Sequence, residues 1–500
     1  MVRFATVEVG ERTSLVPYAE RRVIRGVRAH RPPHADRVGS MPRVQNVDDP
    51  TEGWHPARLI PTVGIKGRED QEKRATSALL AVMHAVPEFA HALLKELGAP
   101  KSNVVKTFTE VRFKTADGQT VIPDGALVCE RGKTRWCCLV EVKTAGAALR
   151  PDQVSAYLDV ARDNGFDAVL TISNQITANS TESPVDVDGR KLRKVALRHF
   201  SWWRIITEAV VQSRYRGVSD PDQAWILDEL IAYLQHPAAG ASGFEDMGDK
   251  WVAVRKAAHD ETLRATDVNA NEVAERWEQF VQHLCLGFSQ ELGHSVRPVV
   301  PRNQTTKQRV TQLTKDLAEH GTLEATLRVP GAVGDLDVVA DLRARKTTNS
   351  VTFDAPKEMR AKPRLNWLLR QLSDADPGLR IEVHYPNARE TTGALLGAAR
   401  DNVDVLLYPP DAKREPKAFT LTMMRPMGSK RGRAEGSFVA ETTSQAFDFY
   451  GDLVQDLKAW TPRAPKLREE DREPDPVAVP VTADVTAKPP ADGVALSAAG

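Results

Sequence analysis

The stretch VIPDGALVCERGKTRWCCLVEVKTAGAALRPDQVSAY, residues 121–157, decides how the chain is read. Alternation along the strand that ends in LVEVKT puts Cys137, Leu139, Glu141 and Lys143 on one face and Trp136, Cys138, Val140 and Val142 on the other. A carboxylate and an ammonium thus project side by side from the end of an apolar strand. Gly132 and Lys133 suit a two-residue type II′ loop, which sets Glu130 against Arg135, an opposite-charge pair that supports the register. The same count sets Asp124 opposite Glu141, with Cα atoms about 4.5–5.5 Å apart.

Two carboxylates that close on a half-buried sheet repel each other, so one of them takes up a proton or the two share a divalent cation. An all-oxygen pair with room for waters suits Mg2+ or Mn2+ better than zinc. Such an ion would polarise a phosphoryl oxygen and help make a water nucleophilic, while Lys143 stabilises the negative charge of the attacked group or positions the water. Metal-assisted phosphodiester hydrolysis is the reaction these parts suit.

The neighbouring segments supply the rest of a layered α/β unit. Residues 71–97 carry helical apolar spacing interrupted at Pro87, either one long helix or a kinked pair. The segments 104–113, 120–130 and 135–144 read as an antiparallel meander. Residues 151–165 read as a helix with Pro151 in its first turn and Gly165 at its exit, followed by strands at 167–173 and 195–202 and a helix from Trp203. The order is α, three β, α, β, then β and α.

Pro123-Asp124 followed by Glu141-x-Lys143 on the next strand resembles the signature of the PD-(D/E)XK nuclease superfamily, over residues 65–215. The resemblance implies a restriction-endonuclease-like fold, a mixed sheet flanked by helices. It also implies nuclease activity, with DNA as substrate. Its metal-binding acids fall on Asp124 and Glu141, its lysine on Lys143, and the carbonyl of Val142 would be a further ligand. Gln153 and Tyr157 look like the QxxxY element of the RecB-like branch, which helps position substrate and active site. The helix before the meander often adds an acid, for which Glu72 is the candidate. The competing reading is a catalytically inactive nuclease-like fold that binds nucleic acid or serves as a scaffold in a stress or defence system.

Plainer readings stand beside these. Acid-x-Lys recurs at Asp411-Ala-Lys413, Glu415-Pro-Lys417 and Asp456-Leu-Lys458, so the triplet alone carries little. Glu141 and Lys143 would also suit an exposed salt bridge. Gln153 would suit a solvated helix edge, Tyr157 aligns with Val154, Leu158 and Ala161 on an apolar stripe, and Glu72 sits in a charged first turn. Asp335, Asp337 and Asp341 share a strand face but lack a lysine partner. The loop GSKRGR, residues 428–433, clusters Lys430, Arg431 and Arg433 as candidate phosphate contacts. Trp202, Trp203 and the stripe Trp277, Phe280, Leu284 read as core.

Five hundred residues, 41% hydrophobic and 27% charged, suggest two to four globular units and exclude a wholly disordered or disulfide-scaffold chain. A net charge of +1 argues for no partner, so a nucleic-acid surface has to be local. Four cysteines without CxxC spacing argue against a zinc site and suit a reducing cytosol. No apolar run or signal-like N-terminus is present, so a cytoplasmic protein without a membrane is expected. Residues 1–60 read as a basic, loosely ordered arm carrying Arg21, Arg22, Arg25, Arg28, Arg31, Arg37 and Arg43. The nuclease-like unit is assigned to residues 61–215, and a helical region to 216–295 with a Gly-rich linker near 238–248. A second mixed α/β module is assigned to 296–462, where a protein partner has room to dock, and a disordered tail to 463–500. Oligomeric state is not legible.

Overall fold

The computed structural model describes residues 59–60 and 64–461, apart from 103, 116, 117, 178–180, 242, 303 and 410. Nearly all of the basic arm and all of the C-terminal tail expected from the sequence lie outside the described residues. The chain opens with α1 (Gly67–Ala85) and α2 (Pro87–Leu94), which meet at a bend of 109°. Pro87 sits at the start of α2, where its missing N–H costs nothing and its fixed φ favours a fresh helix, so the kinked pair forms.

Strand β1 (Val105–Thr109) and a short ribbon of β2 (Phe113–Lys114) and β3 (Thr120–Val121) precede β4 (Gly125–Arg131) and β5 (Thr134–Val142). The sequence-expected strands 104–113 and 120–130 are each broken in two. Glu110 adopts φ 50°, and its N–H donates to the Asp124 carbonyl, closing the β1–β4 ladder. Pro123, which has no N–H to give, separates β3 from β4. Helix α3 (Pro151–Asp163), β6 (Ala168–Ser173), β7 (Ala196–Ser201) and α4 (Trp202–Val211) follow. The five long strands form one mixed sheet in the order β1-β4-β5-β6-β7, antiparallel as far as β5 and parallel beyond it.

The expected hairpin register holds: Glu130 lies opposite Arg135 and Gly125 opposite Val140, with Gly132 at φ 59° in the loop. The alternation holds as well. Leu127, Cys138, Val140 and Val142 pack on α1, α2, α4 and α5 (Pro221–Gln235), while Ala126 and Leu139 pack with Val154, Tyr157, Leu158 and Ala161 of α3 on the other face. Helices thus cover both sides of β5, the central strand.

The remaining helices, α6 (Trp251–His259) and α7 (Val268–Leu292), do not form a separate layer with α5. Leu227, Leu230 and Leu234 of α5 join the core of the first sheet, whereas Trp251, Trp277 and Phe280 join the second core, where they gather round Phe438. The connection near 238–248 is no loose linker: Phe244 and Met247 are buried there. The second core is built on β8 (Arg297–Pro298), α8 (Thr306–Glu319), β9 (Thr322–Arg328), β10 (Leu336–Asp341), β11 (Lys346–Asp354), α9 (Ala361–Gln371), β12 (Arg380–His384), β13 (Thr392–Leu395), α10 (Leu396–Asp401), β14 (Ala418–Pro426) and α11 (Phe438–Asp452). Its sheet is antiparallel throughout, in the order β13-β12-β14-β11-β10-β9-β8.

Two sequence readings fail there. VDVLLY, residues 403–408, has the apolar run of a strand, yet 403–406 form a 3-10 turn capped by the Asn402 side chain, and TTGALLGAARD, residues 391–401, has helical spacing, yet its first part is strand β13. A short apolar run does not distinguish these states. The described residues fall in one compact unit, and Trp203 on α4 packs against both cores while its indole N–H donates to the His283 carbonyl on α7.

At Gly125, next to Asp124, α1 and β1 both approach the sheet closely. A Cβ there would stand 2.5 Å from Leu80 Cδ1 and 2.9 Å from the Phe108 carbonyl oxygen. Gly125→Ala is expected to lower unfolding stability by about 1–3 kcal/mol through this overpacking. Denaturant unfolding checks it; an unchanged midpoint would contradict the close approach.

Candidate active site

Residue 141 falls on the face of β5 that α3 covers, so the fold pushes a carboxylate under a helix. Glu141 is 1% exposed, and among the described residues neither of its oxygens has a hydrogen-bond partner. A buried, unpaired carboxylate is costly, and such groups gather at functional sites. Its nearest compensation is the Lys143 ammonium, 2.7 Å from Oε1, close enough for an ion pair but not aligned as a hydrogen bond. Burial first, and the neighbouring Asp124 charge second, push the Glu141 carboxyl up to about 7, against the opposing pull of Lys143.

Asp124 directly precedes Gly125, the first paired residue of β4. Its Oδ2 accepts from the Val142 N–H at 2.7 Å, which ties the end of β5 to the residue just before β4 and aims the second acid at Glu141. Lys143 is pinned through its main chain: its N–H donates to the Ile172 carbonyl and its carbonyl accepts from the Trp202 indole. Its side chain is 14% exposed, and Nζ lies 3.1 Å from the Val142 carbonyl and 3.3 Å from Glu72 Oε2 on α1. Burial opposes its charge, but Glu141, Asp124 and Glu72 together outweigh that and raise its pKa.

Gln153 and Tyr157 bond each other, Nε2 to the hydroxyl at 2.8 Å, and the Tyr157 hydroxyl donates to the Ile122 carbonyl. The ring is core, only 4% exposed, while the hydroxyl faces Glu141; burial first, and the Glu141 charge second, raise the phenol pKa. One side chain thus packs its ring in the core and turns its hydroxyl toward Glu141. Gln153 reaches the acids through Tyr157. Glu72 reaches them through Lys143, and no three His, Cys, Asp or Glu side chains among the described residues group as a ready metal set. The oxygens facing the site are instead those of Asp124, Glu141 and the Val142 main chain.

Sequence reading took Trp202 as core, which it is, but missed its bond to the Lys143 carbonyl; the signal was that a buried indole N–H needs an acceptor. It also missed the brace formed by Ala145 and Asn174, which both bond the Gly240 carbonyl and hold the chain beyond β5. The other candidates disperse. Asp335 pairs with Arg328, Asp337 with Thr326, and Asp341 with the Ala344 N–H. In GSKRGR, Lys430 bonds the Glu435 carbonyl, Arg431 pairs with Asp246 and Asp249, and Arg433 bonds the Phe244 carbonyl. Those basic groups brace the second core. All four cysteines are free, and no single described helix is long and apolar enough to cross a membrane.

No protein-family model matches the sequence, and a search of curated proteins finds no match.

Because the Glu141 pKa lies near 7 in the fold against 4.5 ordinarily, folding takes up a proton between those values. The metal-free protein should therefore hold this contribution fully below pH 4.5 and lose it as pH rises through about 7. The loss should be on the order of 3 kcal/mol relative to Glu141→Gln, which has no such titration. Unfolding of both proteins in chelator across this range checks it; parallel stability curves would contradict the buried, deprotonation-resistant carboxylate.

Proposed function

We propose that the chain is a metal-dependent nuclease that hydrolyses phosphodiester bonds, with DNA as its substrate. The observation that carries this reading is Glu141, buried with both oxygens unsatisfied, between Asp124 and Lys143. The fold is consistent with it. A mixed five-stranded sheet with helices on both faces, carrying Pro123-Asp124 at the entry to one strand and Glu141-x-Lys143 at the exit of the next, supports a restriction-endonuclease-like core of the PD-(D/E)XK kind.

The donor set fits a hard divalent cation. Two carboxylates and a main-chain carbonyl are all oxygen, which favours Mg2+ or Mn2+ over softer metals, and the orphaned Glu141 oxygens are the natural place for one. Asp124, Glu141 and the Val142 carbonyl would hold the ion, and it would supply Lewis acidity to a phosphoryl oxygen and to a water. The chain's own groups do the rest. Lys143 places a positive charge beside the acids, where charge builds on the attacked phosphate. Tyr157, fixed by Gln153 and the Ile122 carbonyl, sets its hydroxyl beside Glu141 without bonding it, and α3 closes that face to water.

The test is cleavage of plasmid and oligonucleotide DNA with and without Mg2+. Wild type should cut only with the metal, and Asp124→Ala or Glu141→Ala should lower the rate by at least about a hundred-fold. Equal rates in wild type and variants would remove the mechanism. Salt-dependent DNA binding without cleavage would favour the inactive, nucleic-acid-binding scaffold.

A further inference from the structure

Resting on the proposed metal site, we infer that the Lys143 ammonium occupies the cation position in the metal-free protein, and that Glu72 is the perch to which it moves when the metal enters.

Lys143 Nζ lies 2.7 Å from Glu141 Oε1, 3.1 Å from the Val142 carbonyl and 3.3 Å from Glu72 Oε2. An ammonium carries three donors, and here it faces three oxygens supplied by β5 and α1. Two of those oxygens belong to the groups that would bind the metal, so the ammonium and a divalent cation compete for the same place. The third, Glu72, belongs to the opposite wall. It meets the acids only across Lys143, which makes it a positioning residue rather than a member of the oxygen set.

The surroundings restrict the exchange to the lysine side chain. The main chain of Lys143 is held on both sides, by the Ile172 carbonyl and the Trp202 indole. Helix α1 is fixed next to Glu72, where Gln71 Nε2 donates to the Ala238 carbonyl. A flexible four-carbon stem can swing between a fixed Glu141 and a fixed Glu72 without moving either strand or helix. Without metal the ammonium offsets the buried Glu141 charge. With metal the ion takes over that task, and the ammonium, drawn to Glu72, stays beside the site.

Mn2+ titration calorimetry on the full chain, at one mildly alkaline pH, tests this with wild type, Lys143→Met, Glu72→Gln and the double variant. Lys143→Met should bind Mn2+ about ten-fold more tightly than wild type, a difference of about 1.4 kcal/mol. It should also melt below wild type in chelator, with the gap closing in saturating Mn2+. Glu72→Gln should weaken Mn2+ binding several-fold when Lys143 is present and leave it unchanged in the Lys143→Met background. Unchanged or weaker Mn2+ binding by Lys143→Met would overturn the exchange. Equal weakening by Glu72→Gln in both backgrounds would make Glu72 a direct ligand and overturn its role as a perch. Should Lys143→Met fail to fold, Lys143→Gln keeps the comparison. Absence of Mn2+ binding by every protein, wild type included, would remove the metal-site reading itself; binding by wild type with no Lys143 effect would remove the exchange alone.

Discussion

A carboxylate sealed beneath a helix sets the terms for this half of the molecule. Glu141 is on the α3 face of the central strand, and no hydrogen bond meets its oxygens among the described residues. Apolar packing alone would select another Leu at this position, as it does two residues earlier at Leu139. The fold tolerates the acid because Lys143 follows it on the same face and because the carboxyl keeps its proton to higher pH than usual. Arrangements that break a local packing rule while the surrounding structure supports the exception are those in which a site is to be sought.

The support extends well beyond β5. Asp124 is oriented by the Val142 N–H, Lys143 by Ile172 and Trp202, and the segment after β5 by Asn174 and Gly240. Because Gly240 follows α5 and Trp203 reaches across to His283, the second core braces the elements around the acids. The basic loop 428–433 serves this bracing too, its arginines spent on Asp246, Asp249 and Phe244.

The hairpin was legible in the sequence because its determinants are local. A glycine at the turn and an opposite-charge pair fixed the register, and strict alternation then placed each side chain on its face. What was not legible depended on partners distant in the chain. The left-handed Glu110 is explained by its bond to Asp124, and the division of helices 216–295 between two cores by which sheet each apolar face met. Tyr157 shows the limit of periodicity: the same stripe that marks it as core also delivers its hydroxyl to Glu141. Residues 403–406 show another, since a short apolar run with an Asn cap reads as strand until its neighbours are known.

On the proposed function, Asp124, Glu141 and the Val142 carbonyl together would hold a hard divalent cation. Anomalous diffraction from crystals of the full chain soaked in Mn2+ tests it most directly. A peak bounded by Asp124, Glu141 and the Val142 carbonyl is expected, with oxygen distances of about 2.1 Å, as for other small hard divalent ions. A molecule without manganese there, with Lys143 still seated on Glu141 at saturating metal, would contradict it.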